Sequence, residues 1–257
     1  MYARNFLHNV KIGKNVIIGK NNIFGENVII KNNVKIGNNN RIYDNTIIYP
    51  NTVIGNNNII LERNILGQVG VQSSHNYDNF EFKYNGLEIG NNNFFHCNNI
   101  IFNGFNDKTI IKNNNKFLAQ THISHDTIIN NNVTLYPRCI TGGHSILLDN
   151  SVMGFYSTLQ QKMVLGNYSM IGAGNNVSHN VFPFFIIVNN KYLRINKHAI
   201  KNKQLYNEIL ENETKILELI NYMKNSKNID YYNLDLLDNN IKSIIIHFFN
   251  NCVNYKI

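Results

Sequence analysis

Between residues 111 and 177 an apolar residue falls on every sixth position: Ile111, Phe117, Ile123, Ile129, Leu135, Thr141, Leu147, Met153, Leu159, Leu165, Ile171 and Val177, with Thr141 the one that is not large and apolar. Two residues before each sits a mostly small or β-branched residue, such as Thr109, Thr121, Thr127, Val133, Cys139, Ser145 and Ser169. A period of six matches neither the roughly 3.6 residues of a helix nor the two-residue alternation of a half-buried strand, so the unit is a short strand plus a turn, repeated. One such unit cannot bury its apolar side chain alone. Neighbouring coils have to supply the core, which makes the chain a solenoid.

The same phase begins at Ile12 and continues through Ile18, Phe24, Ile30, Ile36, Ile42, Ile48, Ile54, Ile60 and Leu66, with glycine following at 13, 19, 25, 37, 55 and 67. Glycine after an inward residue suits a corner that a side chain would crowd, or a backbone that needs positive φ. Asn also tolerates positive φ, and the chain holds 53 of them, so runs such as Asn38-Asn39-Asn40 and Asn56-Asn57-Asn58 read as turns. A disordered low-complexity tract would not keep an apolar residue in phase over that length.

The phase is lost over 68–88, where His75, Tyr77, Asp78, Phe80, Glu81, Phe82 and Lys83 occur; Ile89, Phe95 and Ile101 resume it, and a shorter break spans 103–108. Repeat proteins place such insertions on one face, and that face is where they bind. After Val177 the pattern stops at Phe182-Pro183-Phe184. Over about 197–224, Ile200, Leu205, Ile209, Leu210, Ile216, Leu217, Ile220 and Met223 recur at helical spacing, and over 239–251 Ile241, Ile244, Ile245, Phe248 and Phe249 do the same. The expected organisation is a mainly β, parallel β-helix over 1–190 with loop excursions near 68–88 and 103–108, followed by an α-helical domain over 191–257. The helices would cover the open end of the solenoid.

Composition narrows the function classes. In 257 residues no apolar run approaches the roughly 18 of a membrane span, so no integral membrane segment is expected. The opening MYARNFLHNVKIG enters the repeat without the apolar core of a signal peptide, which predicts a cytoplasmic protein. Cys97, Cys139 and Cys252 are odd in number and have no metal-ligand spacing, which fits a reducing compartment and no metal. The net charge of +8 suits a phosphate-bearing substrate or an acidic carrier protein, although the lysines are dispersed and the Asn and Lys bias equally follows from an AT-rich genome. No basic stripe with stacking aromatics is present, which argues against nucleic acid.

Two segments carry chemistry: Thr121-His122-Ile123-Ser124-His125-Asp126 and Thr141-Gly142-Gly143-His144, their histidines 125 and 144 about one coil apart. Acyl transfer from a thioester needs a base for the acceptor's proton and an N–H to hold the oxyanion. His125, with Asp126 beside it to fix tautomer and charge, is suited to be the base. His122 is expected on the same turn region as His125, and His144 is placed to contact acceptor or intermediate.

The hexads, the two loops, the helical tail and these His segments together resemble the left-handed parallel β-helix acyltransferases, in particular the UDP-N-acetylglucosamine acyltransferases of lipid A, hence lipopolysaccharide, synthesis. The left hand, a homotrimer and an acyl thioester donor with no tightly bound cofactor are what this resemblance implies. It also makes His125 the base, with Asp126 its helper, and Gly143 the oxyanion donor, and it places His122, His144, Gln160, Gln161, Asn196 and Lys203 at the substrates. The match is incomplete: a family His-Gln pair appears as Gln160-Gln161, paired arginines appear as Asn202-Lys203, and the loop's Asp and Lys have no counterpart in 68–88. Ala173 falls where the family sets acyl-chain length.

The departures shift the first expectation to a similar group, the nucleotide-sugar N-acetyltransferases, which acetylate the amine of a nucleotide-linked amino sugar from acetyl-CoA. The alternative is O-acyl transfer from an acyl carrier protein to UDP-N-acetylglucosamine, and a non-enzymatic β-helix scaffold is the third reading. In the first, Tyr77, Phe80 or Phe82 would stack on the acceptor base.

Overall fold

The computed structural model describes residues 9–70, 81, 83–189, 191–226, 234–235 and 237–252. Strands of two to five residues form three sheets of nine, eight and ten strands, and consecutive strands go to different sheets in turn. Through the coils the neighbours within a sheet are parallel: Lys11 pairs with Ile29, His122 with Ile140 and Ile128 with Ile146. Three hexads thus make one triangular coil of 18 residues, and each coil adds about 4.8 Å along the axis. This is the expected left-handed parallel β-helix with a helical tail.

All twelve hexad positions from Ile111 to Val177 are buried, Thr141 included. The residues two before them are buried too, so each strand sends two side chains inward across its turn. Every sixth residue, three after the inward apolar one, turns the corner with positive φ: Asn15, Asn21, Asn27, Asn33, Asn39 and so on. Asn supplies that conformation at low cost. The glycines after the apolar residues have another reason. A Cβ on Gly37 would lie 2.5 Å from the Gly55 carbonyl oxygen, so these corners are closed by crowding, and of the six only Gly67 has positive φ.

Not every Asn in the runs is a turn residue. Asn40, Asn58, Asn93 and Asn115 point into the core, and each Oδ1 accepts the backbone N–H of the coil above: Asn58 at 2.9 Å, Asn93 at 2.8 Å, Asn115 at 2.9 Å and Val133 at 2.8 Å. The ladder satisfies amides that short strands leave over.

Both excursions leave from one corner, between the nine-stranded and the eight-stranded sheet. Ile65 pairs with Ile100, and Ile100 pairs with His122, so the coils on either side remain stacked across the insertions. His125 and His144 stand at this same corner in the next two coils.

Past the last regular coil, Phe185–Val188 joins the ten-stranded sheet, and Lys191–Ile195 folds back antiparallel on it and ends the sheet. Among the described residues, helices α1 (Lys203–Glu211), α2 (Glu213–Ser226) and α3 (Asn239–Asn251) follow. Residues 197–202 are turn, not helix; α1 starts where Asn202 Oδ1 accepts the Leu205 N–H at 3.1 Å. Ile209, Ile216, Ile241, Ile245 and Phe248 form a second core with Leu148, Val164, Phe182, Phe184 and Phe185, so the helices do cover the end of the solenoid. No helix among the described residues is long and apolar enough to cross a membrane.

Candidate active site

The corner position with positive φ is Asn in many coils, but here it is Asp126 (φ 58°) in one coil and His144 (φ 58°) in the next. Eighteen residues separate them, so one lies directly over the other. His144 N–H donates to the His125 carbonyl at 3.0 Å, which ties the two coils at that point.

The Asp126 carboxylate is 1% exposed and fully engaged. Its Oδ1 accepts the backbone N–H groups of Phe105, Asn106 and Asp107 at 2.9, 3.0 and 2.8 Å, all from the shorter excursion. Its Oδ2 lies 2.8 Å from His125 Nδ1 and 3.4 Å from His144 Nε2. Asp126 N–H in turn donates to Thr109 Oγ1 at 2.9 Å. A carboxylate facing amide donors acts as acceptor only, so the neutral His125 ring carries its proton on Nδ1 and leaves Nε2 bare. The His125 and His144 rings meet edge to face at 5.3 Å, and Phe105 lies 5.7 Å from His125.

Gly143 sits against the bare side of that ring. A Cβ there would be 2.7 Å from His125 Cε1 and 2.9 Å from Nε2. Its N–H has no acceptor among the described residues. At the neighbouring corner the equivalent N–H groups are taken by Asn or Asp side chains one coil up, as when Asn113 N–H donates to Asn131 Oδ1 at 3.1 Å and Asn131 N–H to Asp149 Oδ1 at 2.8 Å. Above Gly143 that place is held by Gln161, which is exposed and does not accept it. A bare imidazole nitrogen and an unused buried N–H therefore share one spot, the two groups acyl transfer requires.

The other expected residues divide. Gln160 and Gln161 lie at the same corner one coil above Gly143, and both are exposed. His122 is not on the turn with His125: it lies on the strand before it, facing outward against Phe102 at 4.9 Å, where burial lowers its pKa. Asn196 is elsewhere. It is buried, donates through Nδ2 to the Tyr168 carbonyl at 3.0 Å, and lines a cleft of about 530 Å³ with Tyr136, Asn132, His198 and Lys201, at the corner between the eight-stranded and ten-stranded sheets. Lys203 opens α1 and does not line that cleft; Lys201 does. His75, Tyr77, Asp78, Phe80 and Phe82 lie outside the described residues, and Glu81 and Lys83 are exposed.

His125, Asp126 and His144 also offer three ligand atoms within 4.8 Å of one another. A cation there would have to displace hydrogen bonds that already occupy both carboxylate oxygens. Cys139 and Cys252 suit no nucleophilic role: burial raises the Cys139 thiol to about 11 and the Cys252 thiol to about 12. The residues that escaped notice in the sequence are the amides of 105–107, Thr109 and Gly70, whose added Cβ would lie 3.0 Å from His125 Cβ. The broken phases at 103–108 and 68–88 were the only signal for the loop amides and for Gly70, and Thr109 showed only as a small residue of the hexad pattern.

No protein-family model matches the chain. Among curated proteins, an acyl-[acyl-carrier-protein]–UDP-N-acetylglucosamine O-acyltransferase of Sinorhizobium fredii is 33% identical over 82 residues, 32% of this chain and 30% of that protein. One of the same name from Nautilia profundicola is 36% identical over 118 residues, 43% of this chain and 46% of that protein. The matched segments thus span less than half of either relative. Among solved structures, a UDP-N-acetylglucosamine acyltransferase of Bacteroides fragilis superposes with a TM-score of 0.83 at 26% identity, over 97% of this chain and 98% of that one. The LpxA of Acinetobacter baumannii, at 21% identity, TM-score 0.82 and 96% of both chains, bears on the fold alone. The two curated relatives are O-acyltransferases by name, the reading that the sequence placed second, and none of these proteins lends acetyl-CoA support as the donor.

Proposed function

We propose that this protein transfers an acyl group from an acyl carrier protein thioester to a hydroxyl of UDP-N-acetylglucosamine. The observation that carries this is the pairing of His125 Nε2 with the unused Gly143 N–H, in a chain whose likeness to a solved UDP-N-acetylglucosamine acyltransferase runs nearly end to end. His125 takes the hydroxyl proton as the oxygen attacks the thioester carbon. The new C–O bond leaves a tetrahedral oxyanion, which the Gly143 N–H holds. Collapse breaks the C–S bond, and the imidazolium returns its proton to the leaving thiolate. Asp126 balances the imidazolium charge and keeps the ring in the productive tautomer.

His144 and Gln161 at the same corner, with Gln160 and His122 beside it, are proposed to hold the acceptor. Asn196 and Lys203 stand apart from them within one chain, because the cleft that Asn196 lines opens at the corner between the eight-stranded and ten-stranded sheets and Lys203 opens α1, whereas the histidines occupy the corner between the nine-stranded and eight-stranded sheets. A homotrimer that sets the cleft of one chain against the histidine corner of the next would unite them. The cations Lys191, Arg194, Lys197, Lys201 and Lys203 are all exposed, and no Asp or Glu lies between 191 and 207, which favours an acidic carrier as donor.

The test is incubation with a 3-hydroxyacyl carrier protein and UDP-N-acetylglucosamine, with mass spectrometry of the product. An O-acylated sugar nucleotide is expected, lost in His125→Ala while sugar binding persists, and a carrier KM that rises with salt. Acetylation of an amino sugar from acetyl-CoA, with no transfer to UDP-N-acetylglucosamine, would overturn the proposal.

A further inference from the structure

The three amides that grip Asp126 belong to a short loop that cannot hold its own shape through side-chain packing, since Asn106 and Asp107 are exposed. Its shape comes from two sources. Gly104 makes the tight turn, where any Cβ would fall 1.7 Å from the Asp107 carbonyl oxygen. The second source is Asn85, an exposed residue on the returning limb of the long excursion, whose Nδ2 donates to the carbonyls of Phe105 and Asn106.

Those two carbonyls have specific partners across the peptide plane. The Phe105 carbonyl shares a planar peptide with the Asn106 N–H, and the Asn106 carbonyl shares one with the Asp107 N–H. Asn85 therefore holds the oxygen side of the same two peptide groups whose hydrogen side donates to Asp126 Oδ1 at 3.0 and 2.8 Å. A donor on the oxygen polarises the peptide and strengthens the bond on its N–H. The two excursions are also tied to each other: Gly104 N–H donates to the Gly86 carbonyl at 3.0 Å and Gly86 N–H to Asn103 Oδ1 at 2.6 Å.

We infer that Asn85 is a positioning residue for the base: through two peptide planes it fixes the Asp126 carboxylate that orients His125. This rests on the acyl-transfer reading above. It assigns a role to a surface side chain that touches no reacting atom, and explains why the long excursion returns where it does.

The experiment compares wild type, Asn85→Asp, Asp126→Asn and the double variant. In Asn85→Asp the carboxylate keeps the size of the amide but donates nothing. The expected result is a fall in kcat of about three- to tenfold, the worth of a hydrogen bond or so, with the acceptor KM within about twofold. On the Asp126→Asn background Asn85→Asp should add no further loss. Amide exchange at 105–107 should speed up in Asn85→Asp, a readout that needs no activity. If wild type transfers no acyl group, the functional reading fails, while the exchange measurement still decides the link between Asn85 and the loop. Unchanged exchange, or an active wild type whose Asn85→Asp variant keeps its kcat or loses it additively with Asp126→Asn, would overturn the inference.

Discussion

Gly143→Ala tests the site at its tightest point. The added methyl would stand 2.7 Å from His125 Cε1, 2.9 Å from Nε2 and 3.3 Å from Nδ1, whereas carbon atoms in contact sit at about 3.5–4.0 Å. The ring would have to retreat by about 1 Å. It has nowhere to go, because the Gly70 backbone lies behind it, Phe105 beside it, and Nδ1 is tied to Asp126 at 2.8 Å. Gly143 is not at positive φ, so Ala can adopt its backbone, and the N–H that would hold the oxyanion is retained. What changes is the placement of the base.

Displacing a catalytic group by about 1 Å costs on the order of 100-fold in rate. Overfilling a packed site costs about 1–3 kcal/mol of stability, or a Tm lower by roughly 2–12 °C in a chain of this size. Steady-state acyl transfer should therefore show kcat down about 100-fold with the acceptor KM within about threefold. A variant with kcat within about fivefold of wild type, at any Tm, would mean that the ring is not pinned as described.

Asn58→Leu keeps the branched shape of Asn but orphans the Asn93 N–H and the Gly90 carbonyl, which it bonds at 2.8 and 2.9 Å, so urea unfolding should show a loss of about 2–6 kcal/mol at unchanged m. Burial holds the His122 pKa below its ordinary 6.5, so the unfolded chain binds the proton more readily; this stability is present above pH 6.5 and is lost as pH falls through the folded value. Thermal melts of His122→Gln should accordingly lose less Tm than wild type between about pH 6.5 and 5.

The hexad phase disclosed which side chains face inward, because that depends on a local count. Which corner a residue occupies depends on the count modulo 18, and the excursions break it: Ile65 pairs with Ile100 and Ile100 with His122. The stacking of His125 and Asp126 beneath Gly143 and His144 was still legible, since both segments follow the last excursion. Asn196 lies beyond the last regular coil, so nothing in the repeat could say that it belongs to another corner. Asn40 and Asn58 read as turn residues because Asn is equally at home at a left-handed corner and in a ladder that caps buried amides. The amides of 105–107 carry no side-chain signature at all.

The left-handed corner also decides how Asp126 should be altered. Most side chains at φ near 58° carry a penalty of about 1–2 kcal/mol, from which Asn and Asp are largely exempt, so Asp126→Ala would confound strain with lost charge. Asp126→Asn avoids the strain, and its Oδ1 can still accept the amides of Phe105, Asn106 and Asp107. The amide nitrogen would then face His125 Nδ1 as a donor, the reverse of the present bond. The ring's proton would move to Nε2, the atom that has to take the hydroxyl proton. An intact fold with transfer reduced by about 100- to 10,000-fold is the expected outcome, the range a positioned base supplies. Nitrogen NMR of labelled histidine should show the exchanged tautomer directly. If the variant keeps more than about a tenth of its activity with Nε2 protonated, His125 is not the base, and the proton must leave by another group at this corner, of which His144 is the nearest.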